Sequence, residues 1–278
     1  MRCRLGSLIA VVLGALLVTA PAASATTQTA HSGNVTATFN FKGKYPKYTR
    51  ETITIARAGK VLYAQPVASR FCASQCAPVS GSGRQASVHV VDLEHDGQPD
   101  VVLDLFSGGA HCCSIEQIFS LRPGTMTYVE TEHNFGDPGE RIVDLGHNGR
   151  HEFLTADDTF AYAFTDYAAS GLPIQILRFS HRRFQNVTRS YPKLIAKDAS
   201  LWLNAFKSTS RQRYQDGVGL IAAWAADEDR LGHSQLVSRY LARQLKAGHL
   251  NSGLSPASGG RKFVANLQRF LRQHGYLR

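Results

Sequence analysis

One acidic loop between two strand-forming segments constrains this chain more than any other feature. Residues 92–100 read Asp-Leu-Glu-His-Asp-Gly-Gln-Pro-Asp, and the valine-rich segments on both sides are typical of β-strands. Carboxylates occupy positions 1, 3, 5 and 9 of this loop, and the glycine at position 6 permits a sharp backbone reversal. Calcium takes about six to eight oxygen ligands from such loops. The spacing predicts one calcium ion, bound by four carboxylates and a main-chain carbonyl: Asp92, Glu94, Asp96, Gln98 and Asp100.

Two features separate this loop from an EF-hand. An EF-hand has a glutamate at position 12 and a helix on each side. Position 12 is Leu103 here, and both flanks are strand-like. The alternative interpretation is an ordinary Asp-Gly turn of a β-hairpin whose acidic residues are incidental.

The pattern returns once, 52 residues later, from Asp144 to Glu152. Asn148 takes the place of Asp96, whereas Gly146 has no side-chain oxygen and Arg150 would repel a cation. We therefore expect the second loop to be a structural turn without metal. A period near 50 residues with a strand-loop-strand core indicates blade-type β repeats.

Together with the segment Ser-Gly-Gly-Ala-His-Cys-Cys at residues 107–113, the two loops resemble the integrin α-like FG-GAP/VCBS repeats of bacterial secreted proteins. The resemblance covers roughly residues 50–190. It implies a calcium-binding acidic loop and propeller blades that bind other molecules or act as a scaffold. Propellers have about four to eight blades. Because only two loops are readable, a partial set of blades or a sandwich is favoured over a closed propeller.

The N-terminus has the three parts of a secretory signal peptide. Arg2 and Arg4 precede an apolar run over residues 8–18, and an Ala-Ser-Ala site ends at Ala25. The apolar run is shorter than the about 20 residues that a membrane-spanning helix needs. We expect cleavage after Ala25, no membrane span in the mature chain, and a secreted or envelope-associated bacterial protein.

The mature chain is expected to be basic. The whole sequence has a formal net charge of +10, and loss of residues 1–25 removes two arginines and leaves +8. This charge favours anionic neighbours. The basic residues are scattered, however, without the aromatic interleaving of a base-stacking surface. We expect an unknown protein or an anionic envelope polymer as partner and no nucleic acid, and the sequence does not set the oligomeric state.

The cysteines predict two disulfides. An even number remains after maturation, as is usual in exported proteins, namely Cys72, Cys76, Cys112 and Cys113. A bridge between neighbours would close a strained ring, so the favoured pairing joins Cys72 and Cys76 each to one of the vicinal pair. The alternatives are a local bridge from Cys72 to Cys76 with a vicinal bridge, or a zinc ion bound by four thiolates.

The hydrophobic period changes near residue 193 and divides the mature chain. Alternating strand patterns and Gly- or Pro-containing turns predict an antiparallel β domain with two blade-like repeats over residues 34–192. Helical spacing predicts three or four amphipathic helices over residues 193–278. Residues 26–33 are small and polar and are expected to be disordered. The fold class is therefore α+β, a propeller-blade-like β domain followed by a small helical domain.

Catalytic motifs are not evident in the sequence. It contains no G-x-S-x-G, H-E-x-x-H or P-loop pattern. His147 and His151 are four residues apart, but the intervening Asn-Gly breaks any helix that would align them on a metal. We assign no catalytic residue.

The sequence favours an exported, non-catalytic binding or interaction protein with a calcium-stiffened β domain. One alternative is a secreted hydrolase whose site assembles from distant residues, with Asp157, Asp158 or His111 as participants. Another is an envelope-associated inhibitor or adhesin that uses the basic surface. A cleft that joins Asp157, Asp158 and His111 would favour the hydrolase.

Overall fold

A computed structural model describes most of the chain, in six ranges: residues 25–73, 76–79, 86–122, 124–209, 217–251 and 259–277. Within these ranges, antiparallel sheets precede a set of α-helices and no sheet closes into a barrel. The predicted α+β class is therefore confirmed. The predicted signal peptide falls on residues 1–24, outside the described part, and on Ala25. No helix in the described ranges is long and apolar enough to cross a bilayer.

The first sheet is an antiparallel meander of four strands: β1 Ala25–Ser32, β2 Val35–Lys44, β3 Lys47–Arg57 and β4 Lys60–Pro66. The expected disorder of residues 26–33 is wrong, because β1 pairs with β2 from Ala25 to Ser32. Three of its residues are β-branched threonines, which favour strands. Gly33, at a φ of +56°, starts the tight turn into β2. A small, polar composition is typical of disorder in an isolated segment, but here the hydrogen bonds to β2 order the strand.

The second sheet is another antiparallel meander: β6 Val88–Val91, β7 Asp100–Phe106, β8 Ser114–Arg122 and β9 Thr127–Gly136. The short strand β5, Ala77–Pro78, pairs with the end of β7 on the same side as β6. Nearly every residue of β7 is buried, since the sheet is covered on both faces. This burial explains the continuous apolar run that follows the acidic loop.

The third sheet repeats this arrangement in shorter strands: β10 Arg141–Val143, β11 Glu152–Ala156, β12 Ile174–Ser180 and β13 Arg183–Asn186. Each acidic loop joins the first two strands of its meander, β6 to β7 and β10 to β11. The sequence repeat therefore coincides with two four-stranded meanders in the described structure.

Four α-helices follow the sheets: α1 Pro192–Thr209, α2 Val218–Arg230, α3 Ser234–Lys246 and α4 Gly260–Gln273. Pro192 opens α1 at the first helical position, where its missing N–H is not needed. Helix α2 is buried along most of its length, and the other three bury one face. The predicted helical segment is thus built around α2.

Three hydrophobic cores hold these layers together. The first lies between the first two sheets and includes Phe39, Leu103 and Phe119. The second lies between the second and third sheets, where Val102 packs with Phe153. The third joins the helices to Phe160 and Phe164 from the segment between β11 and β12. Packing of the helical part therefore begins before residue 193.

Candidate functional site

The first acidic loop, residues 92–100, is organised by two of its aspartates. Asp92 accepts hydrogen bonds from the main-chain N–H groups of Asp96, at 3.0 Å, and Gly97, at 2.8 Å. Asp96 accepts one from the N–H of Gln98 at 2.8 Å. His95 and Gly97 both have positive φ values, which complete the turn.

The second loop has the same hydrogen bonds in the same places. Asp144 accepts from the N–H groups of Asn148, at 3.1 Å, and Gly149, at 2.8 Å. Asn148 in turn accepts from the N–H of Arg150 at 3.0 Å. Because a loop without a full set of carboxylates folds identically, the turn geometry alone is no evidence for a metal.

The two loops pack against each other. The N–H of His151 donates to the carbonyl of Leu93 at 3.1 Å, and its ring Nδ1 lies 3.1 Å from the carbonyl oxygen of Asp92. A Cβ atom on Gly149 would overlap the ring of His95. His151 thus joins the two loops.

Glu94 is directed toward the third sheet. Its carboxylate accepts hydrogen bonds from the Ser180 hydroxyl, at 2.9 Å, and from the main-chain N–H of His181, at 3.0 Å. These two residues lie at the turn between β12 and β13. The residue predicted at position 3 of a calcium loop therefore binds the neighbouring repeat.

Asp100 lies under the loop and is only 5% exposed. Burial, with smaller contributions from the nearby carboxylates of Glu94 and Asp96, raises the pKa of Asp100 to about 7. The side chain of Gln98 accepts a hydrogen bond from Arg57 at 2.7 Å. The carboxylates of Glu94 and Asp96 are close enough to Asp100 to repel its charged form electrostatically.

These positions fit calcium only in part. Asp92, Asp96 and Asp100 surround one turn, and carboxylate oxygens that accept an N–H retain further lone pairs for a cation. Glu94 would have to leave Ser180 and His181 to join them. In the described ranges, no three His, Cys, Asp or Glu side chains converge as a ready metal site. Calcium at Asp92–Asp100 remains a prediction.

The four cysteines form local bridges. Cys72 is bonded to Cys76, with 5.5 Å between their Cα atoms, and Cys112 is bonded to Cys113. The favoured pairing between the two groups is therefore wrong, and the local alternative is what the structure has. The Cα separation of Cys72 and Cys76 lies within the usual range for a disulfide.

The vicinal bridge belongs to the β7–β8 loop, residues 107–113. This loop is closed by two hydrogen bonds, from the Ser107 N–H to the Cys113 carbonyl at 3.1 Å and from the Cys113 N–H to the Ser107 hydroxyl at 2.9 Å. Gly108 and Gly109 supply positive φ values. Both cysteines beside His111 are oxidised, so neither is a free nucleophile.

His111 is held at an acidic and aromatic corner. Its ring stacks on Tyr167 with 4.1 Å between the centroids, and its Nδ1 lies 4.0 Å from Asp137 Oδ2. The Tyr167 hydroxyl donates to the same oxygen of Asp137. Tyr162 adds a third ring, 5.5 Å from Tyr167. No sequence motif includes both Asp137 and Tyr167, because they come from turns that are far apart in the chain.

Asp157 and Asp158 have different surroundings. Asp157 accepts from the Thr159 N–H at 3.1 Å and from the buried hydroxyl of Tyr276 at 2.5 Å, so it anchors the C-terminal segment. Asp158 lies against Gly136, and burial raises its pKa, with further contributions from Asp137 and Asp157. Asp158 and His111 thus both approach Asp137, while Asp157 has a structural role. Asp157 and Asp158 line one cavity of about 370 Å³, whose described lining does not include His111.

A second acidic cluster forms from residues that are far apart in the chain and therefore belong to no sequence motif. Asp104 and Glu116 are paired across β7 and β8, and Glu140 lies beside them. Glu116 is 1% exposed, and no hydrogen-bond donor in the described ranges reaches either of its carboxylate oxygens. Burial raises the pKa of Glu116 well above its usual range, with added repulsion from Asp104 and Glu140. Glu116 and Glu140, whose pKa burial also raises, therefore retain protons that isolated carboxyl groups would lose.

A cavity of about 540 Å³ lies where the first two sheets meet the β9–β10 loop. Its lining is mainly apolar and aromatic: Tyr45, Tyr48, Ala77, Pro78, Val79, Phe106, Ser114, Asp137 and Gly139. Small-molecule sites typically enclose about 300–1,000 Å³ with a few polar groups. The volume and the lining fit a small apolar ligand with one polar contact.

Parts of this chain are distantly similar to known proteins. No protein-family model matches the chain. A probable thylakoid lumen protein of Synechocystis sp. is 26% identical over 133 residues, 41% of this chain and 39% of that protein. An uncharacterized protein of Sinorhizobium fredii is 24% identical over 186 residues, 66% of this chain and 28% of that protein. No solved structure matches. The matched stretches span less than half of either relative and show distant similarity.

Proposed function

We propose that this protein works outside the cytoplasm as a non-catalytic binding protein that takes a small apolar molecule into the cavity between its first two sheets. Export is supported by the signal-like N-terminus, by two disulfides, and by similarity to a protein named for the thylakoid lumen. The basic mature chain adds a weak, salt-sensitive attraction to anionic envelope polymers.

The observation that carries the binding proposal is the composition of the cavity wall. Three aromatic side chains, Tyr45, Tyr48 and Phe106, face a space large enough for a small molecule. Tyr45 is 60% exposed despite its size, so a ligand that covers it removes apolar surface from water. Burial of that surface would favour binding without any chemical step.

Fluorescence of the neutral apolar probe N-phenyl-1-naphthylamine tests this proposal. We expect enhanced, saturable probe fluorescence with the mature protein, and its loss in Ala77→Trp, which places a large ring in the cavity. Val61→Trp on the exposed part of β4 is the matched control and should retain binding. Circular dichroism verifies that both variants are folded. Equal binding by both variants would contradict the cavity as the site.

Calcium stiffening of the first acidic loop is a second part of the proposal. Its support is the electrostatic repulsion of Asp100 by the carboxylates of Glu94 and Asp96, which a divalent cation would relieve. Calorimetric titration of metal-free protein with calcium should give one binding event. The event should disappear in Asp96→Ala and persist in Asn148→Ala, the equivalent change in the second loop. Equal binding by both variants would place calcium elsewhere.

A further inference from the structure

We propose that the ligand of the cavity between the first two sheets is an organic cation, an ammonium group on an apolar body, with Asp137 as its counter-ion. This inference rests on the proposed binding function and adds the chemical class of the ligand. It is carried by the charge of the lining, by the way Asp137 is held, and by the aromatic side chains of the cavity wall.

The lining is acidic in a basic protein. The whole chain has a formal net charge of +10, yet the described lining residues include no Lys, Arg or His. Asp137 is their one ionisable carboxyl group. An anionic ligand would therefore be repelled here, although the protein as a whole attracts anions.

Asp137 is held in place by its neighbours. The Tyr167 hydroxyl donates to Oδ2, and His111 Nδ1 lies 4.0 Å from that same oxygen. The side chain of Asp137 is 25% exposed and lines the cavity. A fixed, half-buried carboxylate loses little rotamer freedom when a cation binds and is screened less by salt than one at the open surface.

Three further carboxyl groups lie next to the cavity lining. Ser114 lines the cavity and hydrogen-bonds to Glu140, which lies close to Glu116 and Asp104. On the same face of the sheet, the pair Asp104–Glu116 lies two residues further along the strands from the cavity-lining pair Phe106–Ser114. Burial raises the pKa of Glu116 and Glu140, so these two carboxyl groups are polar neighbours of the wall and not its main source of charge.

The aromatic wall suits the same ligand. Tyr45, Tyr48 and Phe106 line the cavity. Aromatic rings attract ammonium groups through their quadrupole, by about 0.5–2 kcal/mol according to exposure. An apolar body packed on these rings with its ammonium group near Asp137 would use both halves of the site.

Two isosteric competitors separate charge from shape. Phenyltrimethylammonium and tert-butylbenzene have nearly the same volume, but only the first is charged. Each is used to displace N-phenyl-1-naphthylamine from the wild-type protein, from Asp137→Asn and from Asp137→Glu. We expect Asp137→Asn to weaken phenyltrimethylammonium roughly tenfold, to leave tert-butylbenzene unchanged, and Asp137→Glu to restore most of the preference. Glu228→Gln on α2 controls for loss of one negative charge.

The outcomes are distinguishable. If both competitors respond equally to Asp137→Asn while the probe still binds, the cavity binds ligands but the cation inference is wrong. If the wild-type protein fails to bind the probe, the proposed function itself fails and the inference fails with it. A selective loss of the charged competitor supports both.

Discussion

At the scale of single residues, the environment of Asp100 decides how the acidic loop behaves. The residue ends the loop and begins β7, so its side chain is carried into the space beneath the turn. Removal from water disfavours the charged carboxylate, and Glu94 and Asp96 disfavour it further. The loop therefore holds a proton near neutral pH unless a cation replaces it.

The raised pKa makes stability depend on pH. Asp100 titrates at about 7 in the folded protein and near 3.9 in the unfolded chain, so the folded state binds the extra proton between these values. Its contribution to stability is complete below about pH 4 and is lost as pH rises through about 7. That loss is on the order of 4 kcal/mol. Asp100→Asn should flatten this decline.

Urea unfolding at pH 4 and pH 8 in the presence of EDTA measures the effect. The wild-type protein should lose more stability between these pH values than Asp100→Asn does. Asp96→Asn, a change at an exposed carboxylate of the same loop, should retain most of the wild-type decline. Identical pH dependence in the wild-type protein and Asp100→Asn would contradict the burial argument.

Ligand types were predictable from the sequence, but their directions were not. The spacing of Asp92, Asp96 and Gly97 predicted a tight turn, and the hydrogen bonds of that turn are present. The same spacing could not show that Glu94 reaches Ser180, 86 residues away. Local chemistry follows from neighbours in the chain, whereas the target of a long side chain depends on which sheet packs next to it.

At the scale of elements, the repeat is two meanders joined through their loops. The period of 52 residues places one acidic loop at the same point of each sheet, and His151 and Glu94 connect the two. Residues 26–33 illustrate the converse, since β1 owes its structure to pairing with β2. Patterns within a strand are visible in sequence, but pairing with a distant or unexpected partner is not.

The contact of Glu94 with the β12–β13 turn should stabilise the junction of the second and third sheets. Glu94→Ala removes the acceptor for the Ser180 hydroxyl and the His181 N–H, at a cost of about 1–2 kcal/mol. Glu94→Gln keeps an acceptor and should lose less. Hydrogen exchange of the His181 amide, measured by NMR, should be faster in Glu94→Ala than in Glu94→Gln. Equal exchange in all three proteins would show that the contact is not formed.

At the scale of the whole molecule, a buried polar network fastens the helices to the third sheet. Tyr276 donates its hydroxyl to Asp157 at 2.5 Å and accepts from Arg230 at 2.8 Å, while the Arg230 guanidinium lies 4.1 Å from the centre of the Tyr276 ring. Asp198 on α1 accepts from the N–H of Ile174 in β12 at 2.9 Å. The change of hydrophobic period near residue 193 indicated where the helices begin, but not that they share a core with Phe160.

This network predicts one cooperative unfolding transition for sheets and helices. Tyr276→Phe keeps the ring and removes the hydroxyl, which leaves Asp157 and Arg230 without a shared partner in a buried site, at a cost of about 1–3 kcal/mol. Far-UV circular dichroism follows the whole chain, and tryptophan fluorescence follows the helices, since Trp202 and Trp224 lie in α1 and α2. Both signals should shift together to lower urea concentration in the variant.

Tyr240→Phe on α3 is the matched control, because in the described ranges its ring packs on Trp224 without a hydrogen bond from its hydroxyl. It should unfold close to the wild-type midpoint. If the fluorescence transition of Tyr276→Phe moved while the circular dichroism transition split in two, the helices would be an independently stable unit. A buried charge network that serves two elements stabilises both only while they remain docked, so coincident transitions are the expected consequence of its position.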